Sequence, residues 1–356
     1  MKEWIMLGIV LLGAAGAATD AEAARGERLR FYGRWDRRTA GRAVTVNSGS
    51  HVVARFRGTG IVARFDVSAN RPPFPTLAWR VDEGEWQEAE VAPTVTLAAG
   101  LREAPHTLTL MVRDLDEHQS RWSPPLVASV TFLGLDVTGG KLLAPPPAPK
   151  LKLEFLGDSI TEGVLVHPVR PGMETWPWRG DGRLAYSAQT AMRLGAQWRQ
   201  VGFGRLGVTI EGNGGVPVAP DSFNWFFAGS PRDNWQPHAV IVNQGTNDGR
   251  TAREVFRPAY ARYLQVIREA YPKARIFAVR PFIGSHAEDI QAEVAARQAG
   301  GDRKVVYVDT TGWLTREDYT DGVHPNPQGG AKAADRMAEV LRTHLRLRST
   351  RGDDGG

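Results

Sequence analysis

The sequence predicts an α/β protein in which an all-β, jelly-roll-like sandwich precedes a three-layer α/β/α domain with a parallel sheet. Three observations support this fold class. The chain has 356 residues, more than a single hydrophobic core usually takes. Its first part contains only short strand patterns, and its second part alternates apolar strands with segments of helical periodicity. The hydrophobic content of 42% is enough to fill ordinary globular cores.

Residues 1–23 have the features of a secretory signal peptide. Lys2 provides a weak positive start, residues 4–14 form a short apolar run, and the stretch Ala21-Glu22-Ala23 fits a cleavage site of small residues. An uncleaved anchor is the alternative, but the apolar run is short for a membrane span. The sequence therefore predicts an exported protein, secreted or periplasmic, without a stable membrane anchor.

Residues 25–141 are predicted to form the sandwich. Apolar and polar residues alternate in stretches separated by turns rich in Gly, Pro and Asn, and no helical period interrupts them. The clearest predicted strands cover residues 50–58, 60–67, 77–86 and 106–114. Residues 142–150, LLAPPPAPK, follow, and their prolines exclude a helix or a central strand, so a stiff linker is predicted there.

Residues 151–346 are predicted to form the α/β/α domain, and residues 347–356 a disordered tail. Apolar strands alternate with amphipathic helices, which is typical of βαβ units and hence of a parallel sheet. The predicted strands cover residues 151–156, 199–203, 239–243, 275–280 and 304–308, and the predicted helices 184–195, 252–271, 286–299 and 327–346. Ligands of such sheets bind beyond the carboxyl ends of the strands.

Four polar clusters lie at these strand ends. They are GDSIT (157–161), FGRLGVT (203–209), NQGTNDG (243–249) and DGVHPNPQGG (321–330). Taken alone, the first cluster has two interpretations, because Ser159 suits both a helix N-cap and a nucleophile. The presence of three further polar clusters at strand ends favours the interpretation of Ser159 as a nucleophile.

Together the clusters provide the groups that ester hydrolysis needs. Ser159 offers a hydroxyl, His324 a base, and Asp321 a carboxylate that can orient the base. The backbone N–H of Gly207, the side-chain amide of Asn247 and the Ser159 N–H are predicted to stabilise the oxyanion. One group is thus present for every step of an acyl transfer.

Each of these residues also has a structural interpretation. Asp321 is compatible with an ordinary turn, His324 with a helix entry, and Asn247 with an Asx turn. Gly204 and Gly207 are compatible with a tight turn, and Gly204 is the alternative oxyanion donor. A backbone carbonyl is the alternative partner of the His324 ring. The common location of the clusters at strand ends favours the functional interpretation over coincidence.

The stretches GDSIT, GFGRLGV, GTND and DGVHP resemble blocks I, II, III and V of the SGNH, or GDSL-like, hydrolases. Upstream, FYGRWD, NSGSHVVARFRGTGI and VTFLGLDVTGGKLLAPPP resemble carbohydrate esterase family 2. The resemblance implies a sandwich before a three-layer α/β/α fold, a Ser-His-Asp site and no cofactor. It implies Ser159 as nucleophile, His324 as base and Asp321 as acid. Gly207 and Asn247 become the oxyanion donors. In that family the acid is sometimes absent, leaving a Ser-His pair.

The family removes acetyl groups from plant polysaccharides, so the resemblance implies an acetylated polysaccharide or oligosaccharide as the partner. Two alternatives stay open: a lipase, thioesterase or arylesterase of the same chemistry, and a catalytically inactive glycan-binding protein. The sequence has no obvious apolar lid, which argues against the first. The intact Ser, Asn, Asp and His argue against the second.

Tryptophan is abundant, with 11 in the chain. Trp176, Trp178, Trp225 and Trp235 lie in Gly- and Pro-rich loops between the clusters. We predict sugar contacts for these four, because an aromatic face can carry a pyranose ring. Core packing is the alternative.

Composition excludes several other classes of function. The chain has no cysteine, which excludes disulfides, a thiolate metal site and a cysteine nucleophile. The histidines lack the spacing of metal ligands, so no metal is predicted. The net charge of +5 comes from arginines spread along the chain, which argues against a nucleic-acid partner.

Overall fold

The computed structural model describes residues 28–347. The predicted signal peptide, residues 1–23, therefore lies outside the described residues, as does the predicted tail after its first residue. Within residues 28–347, no helix combines the length and the apolar character that crossing a membrane requires.

The first part of the chain is a sandwich of two antiparallel sheets. One sheet has the order β1-β3-β8-β5-β6, with β10 also paired to β3, and the other has the order β2-β9-β4-β7. The strands are β1 (Leu29–Tyr32), β2 (Ala43–Thr45), β3 (His51–Gly58), β4 (Gly60–Phe65), β5 (Thr76–Val81), β6 (Gln87–Glu90), β7 (Thr94–Ala98), β8 (Ala104–Asp114), β9 (Val130–Thr138) and β10 (Lys141–Leu143).

Alternation of apolar side chains builds the sandwich core. On β3, Val52, Ala54 and Phe56 are almost inaccessible to solvent, and the residues between them, Val53 and Arg55, are more exposed. Ile61 and Ala63 of β4 belong to the same core cluster. A strand with one buried face shows this period of two, which is why the sequence pattern located these strands.

The predicted linker begins two residues too early. Leu142 and Leu143 belong to β10, where they pair with Phe56 and Arg55 of β3. The two leucines can extend the sheet because the prolines begin only at Pro145.

The linker that remains is tied to both halves. The Arg30 guanidinium donates to the Pro146 carbonyl at 2.5 Å, and the side-chain amide of Gln197 donates to the Pro149 carbonyl.

The second part of the chain is built on a parallel sheet of the order β12-β11-β15-β16-β17. Its strands are β11 (Lys152–Gly157), β12 (Gln197–Gly202), β15 (Ala239–Asn243), β16 (Arg275–Val279) and β17 (Val305–Val308), and a small hairpin comprises β13 (Trp225–Phe227) and β14 (Ser230–Pro231). The helices are α1 (Ser159–Glu162), α2 (Trp176–Arg179), α3 (Tyr186–Arg193), α4 (Ala219–Ser222), α5 (Arg253–Ala270), α6 (Ala287–Ala299) and α7 (Pro327–Leu345).

Helices cover both faces of this sheet. Side chains of α5 and α6 pack with Leu156 and Val242 on one face, and side chains of α3 and α7 pack with Phe155 and Ile241 on the other. The predicted fold class is therefore confirmed. The strand order reverses at β11, and in open α/β sheets ligands bind in the crevice beyond the carboxyl ends at such a point.

A buried ion pair joins the two halves. Arg34, in the loop after β1, contacts Glu154 in the middle of β11 at 3.2 Å, and both side chains are 1% exposed or less. The same guanidinium donates to the carbonyls of Phe223 and Trp225 at 2.9 and 3.0 Å. Glu154 therefore depends on the sandwich for its counter-ion.

We expect Arg34→Met to destabilise the protein strongly, because it leaves Glu154 charged, buried and unpaired. Removing one partner of such a pair costs about 3–5 kcal/mol. Arg64→Met is the matched control, since Arg64 pairs with Asp136 where both side chains are exposed, at 41% and 60%. That loss is worth about 0–1 kcal/mol. Denaturant unfolding of both variants makes the comparison, and equal losses would contradict the interpretation.

Candidate active site

The nucleophile candidate lies on the first turn after β11. Asp158 caps helix α1, because its Oδ1 accepts the Ile160 N–H at 3.0 Å. Ser159 is the first helical residue, so its hydroxyl is not used for capping. Gly157 is required at this bend, since a Cβ there would lie 2.1 Å from the Thr161 hydroxyl. The strand-to-helix turn thus presents the Ser159 side chain at the carboxyl edge of the sheet.

His324 and Asp321 complete a hydrogen-bonded chain with this serine. His324 Nε2 lies 2.9 Å from Ser159 Oγ, and His324 Nδ1 lies 2.8 Å from Asp321 Oδ2. A carboxylate on Nδ1 favours the tautomer that leaves Nε2 free to accept the serine proton. Of the two partners considered for the ring, it is the Asp321 carboxylate that makes the contact.

The Asp321 carboxylate also shapes the loop that carries the histidine. Its Oδ1 accepts the backbone N–H groups of Val323 and His324 at 3.0 and 2.9 Å. Partial burial alone raises the pKa of Asp321, but the hydrogen bonds from the His324 backbone and ring outweigh it, so the pKa falls below its ordinary value. Asp321 is therefore a carboxylate at neutral pH.

Two backbone N–H groups are available to an oxyanion. The Ser159 N–H begins a helix and so has no intrahelical acceptor. The Gly204 N–H has no acceptor among residues 28–347. The prediction of Gly207 as the donor is wrong, because its N–H already donates to the Ile210 carbonyl at 2.8 Å. Position 207 still requires a glycine, because a Cβ there would lie 2.6 Å from the Asp248 carboxylate.

Asn247 lies beside these donors. Its side-chain amide contacts the Leu206 carbonyl at 3.1 Å and Asp158 Oδ2 at 3.3 Å. The second distance exceeds the usual range of about 2.7–3.2 Å for such bonds, so one N–H is held weakly. Asp158 is fully buried, and this burial raises its pKa to about 7.

Asp248 braces the loop that carries Gly204. Its carboxylate accepts the Val208 N–H at 3.0 Å, the Thr209 N–H at 2.9 Å and the Thr209 hydroxyl at 2.6 Å. The side chain is fully buried. These bonds fix the second cluster against the third, so the oxyanion donors on both share one rigid frame.

The sandwich also contributes a residue that the sequence did not reveal. Glu117, in the loop after β8, is 6% exposed and packs directly against Gly204. Its neighbour His118 makes an edge-to-face contact with Trp176 at 4.7 Å between ring centroids. The only sequence signal was an acidic stretch, Asp114 to Glu117, at the end of a long strand.

Two of the predicted sugar-contacting tryptophans lie away from this site. Trp235 covers Lys152, the first residue of β11, at 5.9 Å from ammonium to ring centroid. Trp225 lies in the β13–β14 hairpin, whose backbone Arg34 holds beside the first half of β11. Ser159 follows the opposite end of that strand, so neither tryptophan belongs to this site, and their sugar contact stays a prediction. Their loop runs to the amino end of the sheet, which sequence position alone does not show.

The other two tryptophans lie on the side of the site. Both belong to α2, and the backbone after α2 donates to the Gly163 carbonyl, directly beyond the serine helix. The Trp178 indole donates to Glu90 of the sandwich at 3.2 Å. Trp176 is partly exposed and packs on His118. Sugar contact stays a prediction for this pair, with Trp176 the better placed.

The described residues of this site form no metal-binding cluster, and a groove on the sandwich lies elsewhere. Within residues 28–347, no three His, Asp or Glu side chains are grouped to hold a metal ion. A groove of about 890 Å³ lies on the sandwich, lined by residues such as Phe31, Arg37 and Lys141. Ser159 and His324 are not part of its lining.

Comparison with known proteins gives the family. Residues 155–332, half of the chain, match the model of the GDSL-like lipase/acylhydrolase family. The chain belongs to this family. The matched residues include every member of the candidate site on the parallel-sheet half.

The relatives of this GDSL-like chain include carbohydrate esterases. It is 28% identical over 266 residues to the cellulase/esterase CelE of Acetivibrio thermocellus, covering 71% of this chain and 32% of that protein. It is 29% identical over 158 residues to an acetylxylan esterase/glucomannan deacetylase of Cellvibrio japonicus, covering 41% and 44%. The chain thus spans less than half the length of either relative.

A solved structure is similar over both halves. A family two carbohydrate esterase from Clostridium thermocellum, in complex with cellohexaose, matches with a TM-score of 0.77 and 26% identity. The match covers 89% of this chain and 99% of that one. The sandwich and the GDSL-like half therefore occur together in a family two carbohydrate esterase, which supports carboxylic ester hydrolysis as the chemistry.

Asp321→Asn is expected to slow labelling of Ser159 by a fluorophosphonate at least about tenfold at neutral pH, because an amide neither fixes the tautomer nor stabilises the imidazolium. Asp309→Asn is the control, since Asp309 also accepts hydrogen bonds in its own loop, from Thr311. Equal labelling rates in the two variants would reduce the site to a Ser159–His324 pair.

Proposed function

We propose that this chain is an exported serine carboxylesterase that removes O-acetyl groups from a polysaccharide through an acetyl-enzyme intermediate. The observation that carries the proposal is the continuous hydrogen-bonded chain from Ser159 through His324 to Asp321. Its location beyond the carboxyl end of β11, next to free backbone N–H groups, suits an acyl substrate.

In the first half of the reaction, Ser159 Oγ attacks the acetyl carbonyl while His324 Nε2 takes the hydroxyl proton. Asp321 stabilises the imidazolium that forms. The N–H groups of Ser159 and Gly204 receive the oxyanion, and Asn247 turns its weakly held N–H towards it. The tetrahedral species collapses, and the sugar oxygen leaves with the proton from His324.

In the second half, water replaces the sugar. His324 takes a proton from the water as it attacks the acetyl-enzyme, and the same oxyanion donors serve again. Collapse releases acetate, and the proton returns to Ser159. One ester bond and one water molecule are consumed, and one alcohol and one acetic acid molecule are produced, so no cofactor is required.

The substrate class rests on similarity and on surface chemistry. The Cellvibrio japonicus relative is named for acetylxylan and glucomannan, and the similar Clostridium thermocellum structure holds cellohexaose. The partly exposed Trp176 offers a face for a pyranose ring on the side of the site. Export rests on the pattern of residues 1–23.

The test is acetate release from acetylated xylan and acetylated mannan, compared with hydrolysis of a long-chain ester. We expect the wild type to release acetate from a glycan, and Ser159→Ala to lose nearly all of this activity. Ser68→Ala, at an exposed position of the sandwich, is the control. Preference for the long-chain ester would indicate a lipase, and glycan binding without acetate release would indicate an inactive binding protein.

Asn247→Ala is expected to lower kcat on an aryl acetate by about 10²–10³, since one oxyanion donor contributes about 2.7–4 kcal/mol. The exposed Asn224, which holds Arg232 at 3.1 Å, provides the control variant Asn224→Ala. A fall in melting temperature with unchanged kcat would show that Asn247 only stabilises its loop.

A further inference from the structure

Glu117 reaches from the sandwich into the wall of the site. A Cβ on Gly204 would lie 1.3 Å from Glu117 Oε2 and 2.3 Å from its Cδ. The glutamate side chain therefore fills the space that any other residue at position 204 would need. On its other side, the Gly204 carbonyl accepts the Asn213 N–H at 2.8 Å. Gly204 is thus held by two contacts, from Glu117 at its Cα and from Asn213 at its carbonyl.

The charged groups around Glu117 are two cationic side chains, one of them shared with another carboxylate, and one like charge. From its own loop, His118 Nε2 approaches at 3.7 Å, and the Arg121 guanidinium is already engaged by Glu162. From helix α1, Glu162 faces it with a like charge. From the segment after β12, it meets the neutral side chain of Asn213.

These surroundings disfavour a charge on Glu117. Its Oε2 atom is buried and has no hydrogen-bond partner among the described residues. Burial first, and then the charge of Glu162, raise its pKa to about 7. The side chain therefore exchanges between a neutral and a charged form near neutral pH.

We propose that Glu117 is a positioning residue for the reaction: in its neutral form it holds the Gly204 N–H towards the oxyanion, and its ionisation opposes the transition state. The inference rests on the proposed function. An added negative charge next to a peptide that must stabilise a developing oxyanion is repulsive, and water screens the repulsion little at a buried position. Activity should therefore fall as pH rises through the ionisation of Glu117. Deprotonation of a histidine base has the opposite effect, since it raises activity with pH.

The pH profile of kcat on an aryl acetate tests this, measured from about pH 5 to about pH 9. We expect the wild type to lose activity about tenfold on the alkaline side, with a midpoint near the ionisation of Glu117. Glu117→Gln keeps the shape without the charge, so it should remove this falling limb and retain the activity seen at lower pH. Glu83→Gln is the control, since Glu83 is a 91% exposed glutamate of the same sandwich.

A second variant separates positioning from stability. Glu117→Ala leaves Gly204 without its contact, so kcat should fall at every pH while KM stays near the wild-type value and the alkaline limb disappears. A falling limb that persists in Glu117→Gln overturns the inference and leaves the proposed function intact. A folded wild type that hydrolyses no acetyl ester overturns both.

Discussion

Two buried carboxylates of the parallel-sheet half take their counter-ions from the sandwich. Arg34 pairs with Glu154 on the sheet, and Arg121 pairs with Glu162 on the serine helix, with all four side chains 1% exposed or less. A buried charge without a partner is among the most costly defects a fold can carry. Since Glu162 and Ser159 share one helical turn, the ion pair that neutralises Glu162 also fixes the position of the candidate nucleophile. The candidate site therefore depends on the packing of the sandwich against the parallel-sheet half.

Glycines bring the two halves into close contact. A Cβ on Gly180 would lie 1.8 Å from the carboxylate of Asp114, just as one on Gly204 would meet Glu117. Both acids come from the sandwich at the end of β8. Burial, followed by the charge of Glu162, raises the pKa of Asp114 well above its ordinary value. The interface thus combines paired charges with two buried acids whose pKa is raised, and one of these acids, Glu117, contacts the Gly204 candidate donor.

Local patterns in the sequence were enough for the fold class and for bringing most residues of the candidate site together. Period-two and helical patterns located the strands and helices, and the DGVHP motif contains both Asp321 and His324. What failed required contacts that the residue pattern does not show. The Gly207 N–H is already bonded to the Ile210 carbonyl, and the loop with Trp235 reaches the amino end of the sheet. Neither contact can be read from the residue pattern. No sequence pattern identifies Glu117, because its contact with Gly204 forms only where the sandwich packs against the parallel-sheet half.

The clamped linker has a consequence for how the proposed polysaccharide would bind. Arg30 and Gln197 hold the proline segment at two carbonyls, and buried ion pairs join the units it connects. Domain closure around a ligand needs a hinge that absorbs backbone rotation. Here the connection acts as a strut, so the proposed polysaccharide would meet a site that does not close around it. Under the proposed function, a body without a closing hinge needs no free space around the polysaccharide, so neighbouring polymer chains would not obstruct it.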